Sequence, residues 1–77
     1  MRYKADLEHY LTAWLQGIEP GPLSRVVISD DGEFAVLHTA EKQTTRKLSH
    51  YGKEFLRTGD VVLATGESFL EPEDKEK

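Results

Sequence analysis

Near the N-terminus, apolar residues recur at helical spacing. Tyr3, Leu7, Tyr10, Leu11, Trp14, Leu15 and Ile18 follow one another at steps of four, three, one, three, one and three, the stripe of an amphipathic helix over about residues 3–16. Arg2, Lys4, Asp6, Glu8, His9, Thr12 and Gln16 occupy the remaining arc, expected to face water. Gly17 suits a left-handed helix end, and Pro20 lies beyond it as a stop. Trp14, in the middle of the stripe, is expected to be buried between this helix and the sheet. In Glu19-Pro20-Gly21-Pro22 the two prolines forbid helix and central strand alike, so the chain changes direction there.

The pattern then shortens. Arg25–Ser29 and Glu33–Thr39 are two β-type runs separated by Asp30-Asp31-Gly32, a hairpin signature. A two-residue loop on Asp31-Gly32 sets Asp30 opposite Glu33, an unfavourable like-charge pair. A three-residue loop pairs Ser29 with Glu33 instead and is the preferred register. It gathers Val26, Ile28, Phe34, Val36 and His38 on one face, the expected platform for the helix. Val27, Ser29, Glu33, Ala35 and Leu37 then share the other face.

Residues 40–49 are polar and rich in threonine, which predicts a turn and a short edge strand at Thr44–Leu48 guarded by lysine and arginine. Ser49 is placed to cap a helical turn or two over His50–Arg57, which Gly52 weakens. Thr58-Gly59-Asp60 reads as a turn, and Val61–Thr65 as a compact interior strand. Glu71–Lys77 is almost wholly charged and is expected to form a disordered tail behind one domain spanning 1–70. The fold class is α+β: an N-terminal helix on an antiparallel sheet of three or four strands, with a short helical turn before the last. A small half-open β-barrel carrying an N-terminal helix is the alternative.

Composition narrows the function more than it names it. The 77-residue chain has no cysteine, which removes disulfides, thiolate chemistry and sulfur-built zinc sites. A net charge of −4 argues against a dedicated binder of duplex DNA. No apolar stretch approaches a membrane span, and no signal-peptide core opens the chain, so a cytoplasmic protein is expected. His9, His38 and His50 lack the close pairing a metal site requires, so no metal and no cofactor are expected. Nothing sets a base beside a nucleophile, and no Gly-x-Ser-x-Gly elbow or phosphate-cradling loop occurs. Catalysis is therefore not expected.

Two surfaces are left. The segment 42–57 interleaves cations with aromatics, and Lys42, Arg46, Lys47, Tyr51, Lys53 and Arg57 are the candidates for a single-stranded nucleic-acid track. Their alternative role is to solvate an edge and discourage aggregation. The sheet face away from the helix needs cover, since one helix shields one side; Val27, Ala35 and Leu37 are its candidate partner-binding residues. The second short helix or a partner supplies that cover. The expected function is a small non-enzymatic regulatory or adaptor protein, of the kind found among bacterial and phage accessory proteins. It works through contacts with another protein or with a second copy of itself.

Overall fold

A computed structural model describes residues 2–59 and 66–72. Helix α1 spans Lys4–Ile18, strands β1, β2 and β3 span Arg25–Ile28, Phe34–His38 and Gln43–Lys47, helix α2 spans His50–Thr58, and a 3-10 turn covers Gly66–Phe69. The strands form an open antiparallel sheet in the order β1-β2-β3. The class is α+β, and the described sheet is not closed into a barrel. The expected strand Val61–Thr65 lies outside the described residues.

The sequence reading misplaces the end of α1. The helix runs through Gly17 to Ile18 and stops at Glu19, whose backbone N–H donates to Leu15 O at 2.7 Å. Gly17 is thus an ordinary helical residue, and the stop belongs to Pro20, which disfavours helix at the residue before it. Leu7, Leu11 and Leu15 are buried, Tyr3, Tyr10 and Trp14 pack on the margin, and Ile18 is exposed. Trp14 is only half-buried, and its ring lies where a Cβ on Gly66 would stand. It packs on the 3-10 turn instead of being sealed under the sheet.

The hairpin register is also corrected. Val26 pairs with Leu37 and Ile28 with Ala35, one residue out of step with the preferred three-residue loop. The loop has four residues, Asp30 to Glu33, and is closed by Ser29 N–H donating to Phe34 O at 2.8 Å. Asp30 and Glu33 never become ladder partners, so the charge repulsion that disfavoured this register does not arise. Side chains stabilise the wider loop. Ser29 Oγ accepts from the backbone N–H of Phe34 at 3.0 Å, and Asp31 Oδ1 accepts from Glu33 N–H at 3.0 Å. Gly32 takes the left-handed conformation (φ 74°) that this turn needs.

Because side chains alternate strictly along a strand, the one-residue slip exchanges the two faces of β2 relative to β1. The face under α1 carries Val26, Ile28, Ala35 and Leu37, continued on β3 by Thr44, Arg46 and, just past its end, Leu48. The opposite face carries Arg25, Val27, Phe34, Val36, His38, Gln43, Thr45 and Lys47.

Helix α2 starts as its sequence predicts: Ser49 Oγ accepts from Gly52 N–H at 3.3 Å. It ends at Gly59 in the left-handed conformation. Gly52, a poor helix former, is there for proximity, since a Cβ at that position would meet Phe69 O at 2.6 Å. Edge-to-face aromatic contacts join the helices through the 3-10 turn: Tyr10 to Phe69 at 5.4 Å, Phe69 to Phe55 at 5.6 Å, and Phe55 to Tyr3 at 6.4 Å. Beyond that turn, Glu71 N–H donates to Lys47 O and Leu70 bridges to Leu48. Glu71 therefore belongs to the folded body and not to a free tail.

Candidate functional site

The partner-binding residues drawn from the sequence do not share a face. Ala35 is 0% exposed and Leu37 is 9% exposed, both in the core against α1, while Val27 lies on the opposite side at 37%. The cause is the register: a four-residue loop turns Ala35 and Leu37 inward with Val26 and Ile28. The residues that accompany Val27 are Val36, its direct cross-strand partner, and Phe34, which is 38% exposed. Thr45 completes the central row on β3.

This open face has a definite charge pattern. Arg25 and His38 are ladder partners at one end, and Lys47, opposite Phe34, stands at the other. None of the described strand residues that alternation places on this face is acidic. Beside Arg25, a recess of about 270 Å³ opens between Pro22, Leu23 and His38, and Leu23 is among the most exposed large apolar residues.

The basic segment, by contrast, is divided. Arg46 lies under the sheet with its guanidinium donating to Glu71 O at 2.8 Å and 3.7 Å from the Glu67 carboxylate. Lys53 meets Glu33 at 3.1 Å across to the hairpin loop. Arg57 donates to both oxygens of Glu54 at 2.6 and 2.7 Å. That pairing holds the Glu54 carboxyl below its usual range and pushes the Arg57 guanidinium up. Lys42, Lys47 and Tyr51 are exposed, the first in the β2–β3 turn, the second on the open face, and the third on α2. These six residues do not line one surface.

Other chemistry has little to build on. Among the described residues no cluster of three histidine or carboxylate side chains is placed to hold a metal, and no buried side-chain polar atom lacks a partner. His9 is exposed on α1, and His50 stacks edge-on against Tyr51 at 5.7 Å. A recess of about 470 Å³ is lined by Gly32 and Leu56 together with Arg2, Asp31, Glu33, Lys53 and Arg57. Its carboxylates are engaged, Glu33 by Lys53 and Asp31 by the Ser29 hydroxyl at 2.7 Å.

The sheet's edges are unequal, and the sequence reading missed why. In antiparallel pairing, alternate backbone N–H groups of an edge strand point away from the sheet. On β1 these are Val26 and Ile28, and both are occupied by α1. Val26 N–H donates to Thr12 Oγ1 at 2.9 Å, and Ile28 N–H donates to a Glu8 carboxylate oxygen at 2.7 Å. Gln16 Nε2 extends the seam by donating to Ser24 O at 3.0 Å. The available signal was Glu8, Thr12 and Gln16 at i, i+4 and i+8, one polar line beside the apolar stripe. At the other edge, residues 69–71 cover β3 only at its end, around Lys47 and Leu48. No helix of the described residues is long and apolar enough to cross a membrane. Compared with known proteins, the chain matches no family model, no curated protein and no solved structure.

Proposed function

We propose that this is a non-enzymatic adaptor or regulatory protein that works by docking another protein on the open face of its sheet. The observation that carries the reading is one-sided cover: α1 packs on one face, while Val27, Phe34 and Val36 stand half-exposed on the other. Apolar side chains gathered on a rigid sheet, with polar residues around them, have the composition of an interface core and rim. A three-stranded sheet gives such a patch a fixed shape, so little ordering entropy is lost on docking.

Strand addition at the β1 edge is disfavoured, because Thr12 and Glu8 already occupy the amides that an added strand would use. The test is affinity capture from the native host with the parent chain and with Val27→Asp, each first shown to be folded by circular dichroism. The expected result is one defined protein retained by the parent and lost by the variant. Equal retention by a folded Val27→Asp chain overturns the reading.

A further inference from the structure

We infer that the partner presents an acidic, extended segment to the open face, with a carboxylate at each end and an aliphatic side chain between them. This rests on the docking role proposed above and names the chemistry of what docks. The chain as a whole carries −4, yet the charged side chains among the described strand residues on this face are the cations Arg25 and Lys47, with the His38 imidazole beside Arg25. Elsewhere, four of the described cations form ion pairs, Lys4 with Glu8 and Asp30, Arg46 with Glu67, Lys53 with Glu33, and Arg57 with Glu54, whereas Arg2 and Lys42 form none among the described residues. No such pair involves Arg25 or Lys47. The chain has 14 acidic residues, and none of the described strand residues on the open face is one of them. Complementary potentials steer docking and select against wrong partners.

The arrangement also sets a spacing. Arg25 on β1 and Lys47 on β3 stand at diagonal corners, four residues apart along the ladder and two strands apart across it. That is about 16 Å at ordinary strand geometry. Between them lies the row Val27, Val36 and Thr45, with Phe34 beside Lys47. In an extended segment every second side chain faces the same way, so residues i and i+4 lie roughly 13 Å apart with i+2 between them. Two flexible basic side chains close the difference. The pattern that fits is acid–x–aliphatic–x–acid.

Two other occupants fit less well. A second copy of this chain sets cations against cations, since neither face brings a carboxylate. A nucleic-acid strand calls for successive aromatic platforms and a continuous cationic track. This face offers one phenyl ring beside a pair of valines, and Arg46, Lys53 and Arg57 of the basic segment are paired with carboxylates.

The experiment follows the amide NMR spectrum of the full chain during titration with three probes. The first is a short blocked peptide containing glutamate–serine–valine–serine–glutamate, the second its lysine-for-glutamate analogue, and the third a single-stranded oligothymidylate. The expected result is saturable shifts at Val27, Phe34, Val36 and Thr45 with the acidic peptide only. Binding should weaken as salt rises, and fall by about tenfold or more in the double variant Arg25→Glu/Lys47→Glu with the fold intact. Tighter binding of the basic peptide or the oligonucleotide, or undiminished binding by the charge-reversed chain, overturns the inference. So does a response to none of the three probes. Host capture that depends on Val27 survives all of these failures, so the docking role and the partner's charge are tested separately.

Discussion

The two faces of the sheet are built from the same three strands and both carry apolar residues on β1 and β2, yet one is core and the other surface. Under α1 stand Val26, Ile28, Ala35 and Leu37; on the far side stand Val27, Phe34 and Val36. Hydropathy does not separate these sets, and the outer one is if anything bulkier. Helix α1 makes the difference. It supplies Leu7, Leu11 and Leu15 to one face and closes the neighbouring edge with Glu8 and Thr12. A sheet face becomes core where another element covers it and stays a surface where none does. Apolar residues left on the bare side are then available for contact.

The same charge placed on each side should have very different effects. Leu37→Asp buries a carboxylate with no partner among apolar neighbours, at a cost of several kcal/mol, most of what a domain this size has to lose. We expect no cooperative thermal transition for that variant. Val27→Asp should change stability by no more than about 1 kcal/mol, the range of strand propensities on an open face. Two variants of equal stability in a denaturant titration contradict the assignment of the faces.

Next in size is the seam between α1 and β1. Thr12→Ala leaves Val26 N–H without its acceptor, and Glu8→Ala does the same for Ile28. Each should cost about 1–3 kcal/mol, the penalty for stranding a shielded polar group. Hydrogen exchange offers the site-specific check. The amides of Val26 and Ile28 should lose protection in the respective variant, while Val27, bonded within the ladder, changes less. Unchanged protection at Ile28 in Glu8→Ala removes the seam from the account.

The smallest effect concerns the loop that sets the register. The Ser29 hydroxyl, followed by the Glu33 amide, holds the Asp31 carboxyl below its usual 3.8. A carboxyl whose pKa is lower in the folded state contributes stability that is complete above its unfolded value. That contribution is lost as pH falls through the folded one. Asp31→Asn should therefore flatten a slight decline in melting temperature below about pH 4 and leave the neutral-pH slope unchanged. An altered slope between pH 5 and 7 means that another group is responsible.

Much of the local structure was legible along the chain. The apolar stripe of α1, the Ser49 cap of α2 and the three short strands are local patterns, governed by side-chain period and capping chemistry within a few residues. The candidate site was less legible, because it depends on which of two alternating sets faces the helix. Ala35 and Leu37 against Val27 and Val36 is a choice that parity along one strand leaves open. It was settled at the hairpin, where Ser29 and Asp31 support a four-residue loop.

Legible from the residues were the α+β class, the order of the two helices and the three described strands, and the exclusion of cysteine-based chemistry. The tertiary structure decided the face of the sheet that is covered, the edge that is closed and the basic residues that remain unpaired. Glu8 and Thr12 read as solvent-facing until β1 lies beside them, and Arg46 reads as a surface cation until Glu67 and Glu71 arrive from the far end of the chain. The physical reason is the range of the interactions. Helix periodicity and capping act over three or four residues, whereas edge amides and ion pairs are satisfied by groups that only the folded chain brings within reach.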